Sequence, residues 1–191
     1  MSEDLSGQFG SATVIPHDVA LLILDCFETL IALRGRAYVP RRGVIEFLDH
    51  FTITRPETPR VVVSDAEQST VEAALVQAGL IERLTAIIGA PTSLAVHSDG
   101  RQLKRLDAIV DQFRAPVHRT IFIGDSPLDA QAAHYHRIPF IRVPRSEDEN
   151  FSFACLISGP SRYQSAEFSA LFLQQYLRHR GQTDPPPPDR R

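Results

Sequence analysis

The sequence predicts an α/β fold, a three-layer sandwich with helices on both faces of a mostly parallel central sheet. Three observations carry that expectation. Short apolar runs at 20–25, 60–64, 85–88, 120–124 and 138–143 read as strands. They alternate with helical patterns at 41–51, 66–78, 102–113 and 127–136, and strand–helix alternation builds parallel βαβ units. Two of the runs end in carboxylates, and open α/β sheets form their sites at the carboxyl ends of their strands.

In chain order, Leu21-Leu22-Ile23-Leu24 delivers Asp25-Cys26-Phe27-Glu28-Thr29-Leu30 at its tip. Val61-Val62-Val63 leads to Ser64, and the helix after it carries Val71, Ala74, Leu75 and Ala78 at helical spacing, with Gly79 where a left-handed cap belongs. The pattern at 102–113 sets Leu103, Leu106, Ile109, Val110 and Phe113 on one side and places Lys104 near the start of a helix. A cation there opposes the helix dipole, which argues for a functional reason. Lys104 is the only lysine beside 19 arginines. Thr120-Ile121-Phe122-Ile123 then ends in Gly124-Asp125-Ser126-Pro127-Leu128-Asp129. Phe151 to Ile157 reads as an extra strand, and Ser165 to His179 as a closing helix whose face of Phe168, Leu171, Phe172, Tyr176 and Leu177 suits the core.

The 191 residues suffice for one domain, placed at 18–179 between a flexible arm at 1–17 and a disordered Pro-rich tail at 180–191 containing Pro185 to Pro188. A net charge of -3 gives no electrostatic footprint for nucleic acid or membrane. No apolar run reaches the ~20 residues of a bilayer span, and the start is acidic where a secretory signal is basic, so a cytoplasmic protein is expected. Cys26 and Cys155 make no disulfide framework and lack companions at metal-ligand spacing, so both read as buried small hydrophobes. The seven histidines form no metal or nucleophile pattern. His134 and His136 read as helix-end or core residues.

Taken singly, Asp25 and Asp129 are ordinary turn or cap residues, Ser64 a strand-end cap and Lys104 a solvated charge. In this order they resemble the haloacid dehalogenase-like (HAD) superfamily across residues 20 to 143. The resemblance implies a Rossmann-like sandwich and a hydrolase. It makes Asp25 the nucleophile that forms an aspartyl-phosphate. It assigns Mg²⁺ to Asp25, Asp125 and the Phe27 carbonyl, with Asp129 orienting that shell or reaching Lys104. Ser64, Lys104 and Thr29 would bind the phosphoryl group, Lys104 also offsetting repulsion between nucleophile and substrate.

One departure stands out. Phosphatases of this superfamily carry a second Asp two residues after the nucleophile, as acid to the leaving group, and here that position is Phe27. Strand alternation would set Phe27 on the side of Asp25, and losing such an acid costs about 10²–10⁴ in rate. Three accounts stay open: Glu28 acts as a substitute acid/base, the protein is a degenerate binding or scaffold module, or the chemistry is that of a dehalogenase, whose members have an aromatic residue there but work without metal and lack a Gly-Asp-Ser turn.

The 39 positions from Asp25 to Ser64 and the 40 from Ser64 to Lys104 leave room for a short flap but no full cap domain. The site of such a capless member is expected to be open, to suit a phosphorylated or other anionic and even macromolecular substrate, or to be closed by a second subunit in a homodimer. The flap arginines Arg34, Arg36, Arg41 and Arg42, beside Tyr38, are candidates for gripping the anion or form an ordinary solvated basic loop.

Overall fold

A computed structural model describes residues 15–96, 100 and 102–158. Its centre is a five-stranded sheet formed by β1 (Leu21–Leu24), β4 (Arg60–Glu67), β5 (Ala86–Ala90), β8 (Thr120–Gly124) and β9 (Phe140–Arg142). These strands stand in the order β5-β4-β1-β8-β9, and every pairing is parallel. The order reverses at β1: the chain moves outward through β4 and β5, then crosses back to β8. That reversal opens a crevice at the carboxyl ends of β1 and β8.

Both faces of the sheet are covered. Leu22 and Leu24 join a cluster with Phe47, Leu48 and Phe51 of α1 (Val44–Thr54) and Val71, Ala74 and Leu75 of α2 (Gln68–Gln77). Leu21 and Ile23 join the other cluster with Leu106, Ile109 and Val110 of α3 (Leu106–Phe113) and Ala132 and Ala133 of α4 (Pro127–Tyr135). Burial on both sides explains why β1 is a continuous apolar run rather than an alternating one.

Two hairpins are inserted into this frame. β2 (Ile31–Arg34) and β3 (Ala37–Pro40) follow β1, and β6 (Leu94–Val96) and β7 (Gln102–Lys104) follow β5. The second overturns the expected helix over 102–113, which starts only at Leu106. Leu94 pairs with Lys104 and Val96 with Gln102, and such partners across a turn are invisible to a one-dimensional period. Lys104 is therefore a strand residue, and the helix-dipole argument does not apply to it.

The expected strand at 151–157 is instead an irregular segment leading into the short helix α5 (Cys155–Ser158). Its alternating apolar residues plug into the first cluster: Phe153 meets Phe47 with ring centroids 5.5 Å apart, and the Phe153 N–H donates to the Arg42 carbonyl. The packed body also begins earlier than residue 18. Ile15 is buried, its N–H donates to the Leu156 carbonyl, and Arg55 binds the Pro16 carbonyl and the His17 ring. Gly79 has the expected left-handed conformation, with φ +68°, and both cysteines are buried free thiols. The closing helix at 165–179 and the Pro-rich tail lie outside the described residues. Among the described residues, no helix is long and apolar enough to cross a membrane.

Candidate active site

The crevice brings three carboxylates together. Leu24 of β1 is in register with Ile123 of β8, and the Asp25 N–H donates to the Ile123 carbonyl at 2.8 Å, so Asp25 and Asp125 leave neighbouring strands side by side. Asp129 returns to them from the first turn of α4. Ser126 caps that helix, its hydroxyl accepting from the Asp129 N–H at 3.0 Å while Asp129 Oδ2 accepts from the Ser126 N–H at 3.2 Å. Gly124 makes the approach possible, because a Cβ there would lie 2.7 Å from Asp129 Oδ2. One oxygen from each of Asp25, Asp125 and Asp129 lies within 4.8 Å of the others, and all three residues are buried.

Lys104 enters from β7 and divides its ammonium between two of them, donating to Asp25 Oδ1 and Asp129 Oδ1 at 2.5 Å each. Burial pushes the Asp25 carboxyl up to about 7, and the charge of Asp129 adds to this against the opposing pull of Lys104. Burial likewise raises Asp125 above the usual carboxylate range, although Thr29 and Arg145 act against it. Burial also penalises the Lys104 ammonium, but Asp25 and Asp129 together outweigh that and hold it above the ordinary lysine value. The lysine gains two carboxylates while each carboxylate shares one lysine, so the cation gains more than Asp25 does. With one ammonium among three carboxylates, the pocket has a charge deficit that suits a hard divalent cation with oxygen ligands.

The other expected site residues sort differently. Thr29, expected to bind substrate, donates to Asp125 Oδ1 at 2.9 Å and orients that carboxylate. Ser64 is fully buried in β4, and its hydroxyl accepts from the Ala66 N–H at 3.3 Å; no hydrogen bond among the described residues joins it to the carboxylates. Glu28 has a left-handed backbone, φ 59°, and its carboxylate accepts from the Ser146 hydroxyl. Arg34 pairs with Glu149 at 3.3 Å and Arg36 is exposed, so neither is brought into the cluster. Strand β1 ends at Leu24, and the partly buried Phe27 ring packs against the cluster containing Leu22, Leu24 and Cys26, with its centroid 5.3 Å from that of Tyr38 in the flap hairpin.

The roles of several contributors escaped the sequence reading. Ser126 had a legible signal, since Ser-Pro-Leu-Asp is a capping pattern with Pro at the first helical position. Arg41 is buried and holds the carbonyls of Glu28, Thr29 and Arg145, while Arg145 Nε lies 3.5 Å from Asp125 Oδ2. His136 hydrogen-bonds the Lys104 carbonyl at 3.1 Å. These contacts span long stretches of sequence and leave no local pattern. Beside Lys104, a cavity of about 140 Å³ opens among Asp65, Leu94, Gln102, Ser126 and Leu128.

Comparisons with known proteins bear on the fold and the family. The family described as haloacid dehalogenase-like hydrolase matches residues 28–143, a stretch that starts three residues after Asp25. No curated protein matches the sequence. Among solved structures, a HAD-superfamily hydrolase of subfamily IA from Geobacter sulfurreducens superposes with a TM-score of 0.52 at 13% identity, over 67% of this chain and 93% of that one. A haloacid dehalogenase-like family protein from Streptococcus pneumoniae gives 0.53 at 11% identity, over 69% and 90%. The N-terminal part of a Bacteroides fragilis protein, described as containing a phosphatase domain complexed with Mg, gives 0.53 at 11% identity, over 76% of this chain and 42% of that one. These three likenesses are likenesses of fold; the family match covers more than half of the sequence, and the chain belongs to the haloacid dehalogenase-like hydrolase family.

Proposed function

We propose that the protein hydrolyses phosphate esters, or transfers their phosphoryl group, with Asp25 as nucleophile and Mg²⁺ as cofactor. The observation that supports this most is the buried trio Asp25, Asp125 and Asp129 with Lys104 bonded to two of its members. Asp25, Asp125 and the Phe27 main-chain carbonyl would hold the cation, and Asp129 would fix Lys104. When bound, the cation supplies positive charge that neutralises the phosphoryl oxygens.

The side chains account for the remaining work. An oxygen of Asp25 attacks phosphorus as the bond to the ester oxygen breaks and the alcohol part leaves, forming an aspartyl-phosphate that water then hydrolyses to phosphate and the free Asp25 carboxylate. Lys104 holds Asp25 in place through a 2.5 Å bond and offsets the repulsion between anionic nucleophile and anionic substrate. Thr29 fixes Asp125, and Ser64, fully buried on the neighbouring strand β4 with its hydroxyl at the Ala66 N–H, is the hydroxyl that would have to turn to a phosphoryl oxygen. The dehalogenase alternative uses no metal, and three clustered buried carboxylates, only two of them bonded to Lys104, speak against it.

Phosphate release from 4-nitrophenyl phosphate tests the reading, with excess Mg²⁺ or with EDTA, for the wild-type chain and Asp25→Asn. The expected result is release that requires both Mg²⁺ and Asp25. The Phe27 ring against Tyr38 favours a second reading, a non-catalytic binding protein. Binding of the ester without any release would establish that reading instead.

A further inference from the structure

The geometry points to a substrate whose leaving group departs as a stable anion, an acyl phosphate or a phosphoric anhydride, with Arg145 receiving that anion. The inference rests on the phosphoryl-transfer reading above and narrows its substrate. It starts from what the turn after Asp25 lacks. Phe27 offers only a ring, and the Glu28 carboxylate is engaged by Ser146. With no free proton donor at Phe27 or Glu28, an alkoxide expelled beside that turn lacks acid help worth about 10²–10⁴ in rate. A departing carboxylate or phosphate is a weak base and needs no proton.

What that turn has instead is a guanidinium fastened alongside it. Buried Arg41 donates to the Glu28 carbonyl, to the Thr29 carbonyl at 3.3 Å and to the Arg145 carbonyl at 3.2 Å. The bond from Ser146 to Glu28 joins the same two segments again. The backbone of Arg145 is thus pinned to the turn that follows the nucleophile. Its side chain is 63% exposed and touches the cluster through one contact, Nε to Asp125 Oδ2 at 3.5 Å. A contact of that length at that exposure is weak and screened. A cation on Asp125 would compete for the same carboxylate and release the guanidinium, whose planar fork matches a carboxylate or phosphate. The cations divide the work: Lys104 serves Asp25 and Asp129, and Arg145 stands at Asp125.

The chemistry balances without a further group. A bond forms from an Asp25 oxygen to phosphorus as the bond from phosphorus to the bridging oxygen breaks. The electron pair of that bond leaves on the carboxylate or phosphate, unprotonated, beside Arg145. Water then attacks phosphorus, Asp25 regains its carboxylate, and the water's proton passes to the phosphate product or to solvent.

The test measures kcat/KM with Mg²⁺ for acetyl phosphate, inorganic pyrophosphate, methyl phosphate and 4-nitrophenyl phosphate, each corrected for uncatalysed release. The expected result is a preference of at least ~10² for acetyl phosphate or pyrophosphate over methyl phosphate, the smaller end of the contribution of a missing acid. The acetyl phosphate and pyrophosphate arms tell the acyl from the anhydride source. Arg145→Gln should lower kcat/KM for the preferred substrate at least about tenfold, as loss of a donor to developing charge does, and Arg145→Lys should restore part of it. Inhibition by vanadate, which has no leaving group, should stay within about threefold in both variants, as it would not after structural damage. Methyl phosphate turned over as well as the others, or Arg145→Gln leaving every substrate unchanged, would overturn the inference. So would an equal loss in vanadate affinity. Turnover of 4-nitrophenyl phosphate alone would sink this inference and spare the phosphatase reading. No Asp25-dependent release from any of the four would sink both.

Discussion

Asp25→Asn should stabilise the metal-free protein, and increasingly so as pH rises. The Asp25 carboxyl is raised from 3.8 to about 7, chiefly by burial. Because the folded value lies above the unfolded one, the unfolded chain loses its proton first as pH rises. Below about pH 4 both states hold the proton and the residue contributes nothing to the pH dependence. Between about pH 4 and 7 the wild type loses ~1.36 kcal/mol per pH unit, and above pH 7 it carries the whole penalty. Asn does not titrate and escapes it. From pH 5 to pH 8 the variant should therefore gain roughly 2–3 kcal/mol over wild type, about 4–12 °C in Tm for a chain of this size. Thermal unfolding of both proteins in EDTA at the two pH values reads the difference directly. A gap that does not change with pH would refute the reasoning, because it would mean that Lys104 keeps Asp25 ionised throughout and that burial does not dominate.

Other perturbations follow from the same contacts. Thr29→Val removes the 2.9 Å bond that orients Asp125, and isothermal titration should show Mg²⁺ affinity falling about 10–100-fold, as for other lost partners of metal ligands. Gly124→Ala places a methyl group 2.7 Å from Oδ2 of Asp129, whose carboxylate is held by Ser126 at Oδ2 and by Lys104 at Oδ1; urea unfolding should show a loss of about 1–3 kcal/mol from overpacking, together with weakened Mg²⁺ binding. Phe27→Asp removes the ring from Tyr38 and should cost about 1–3 kcal/mol in stability, while any gain in methyl phosphate hydrolysis, up to the ~10²–10⁴ of an acid, measures how well the new carboxyl reaches the leaving group.

The sheet was legible because its strands are buried on both faces. β1, β4 and β8 appear in the sequence as unbroken apolar runs, and Asp25 and Asp125 directly follow the ends of β1 and β8, whereas β4 continues past Ser64 to Glu67. Asp25 and Asp125 could be found from that alone, whereas Asp129, in the first turn of α4, needed the family resemblance. Lys104 was found as a residue and misplaced as an element, since β7 exists only through its pairing with β6. The strand expected at 151–157 failed for the opposite reason. Its alternating apolar residues fill a side-chain cluster rather than a ladder, and hydrophobicity does not distinguish the two. Arg41 was read as a substrate-gripping or solvated flap residue but is buried, and Arg145 carried no signal. Each matters through main-chain or carboxylate partners on other segments, the Arg41–Arg145 contact spanning 104 positions, and local pattern does not report such partners.

The central claim is that Asp25 carries the phosphoryl group. Acid quenching during turnover with Mg²⁺ and 4-nitrophenyl phosphate or acetyl phosphate, followed by peptide mass spectrometry, measures this directly. The account predicts one phosphoryl group on the peptide containing Asp25, absent with EDTA and absent in Asp25→Asn. Phosphate release with no label on that peptide, or a label that persists in Asp25→Asn, would contradict it.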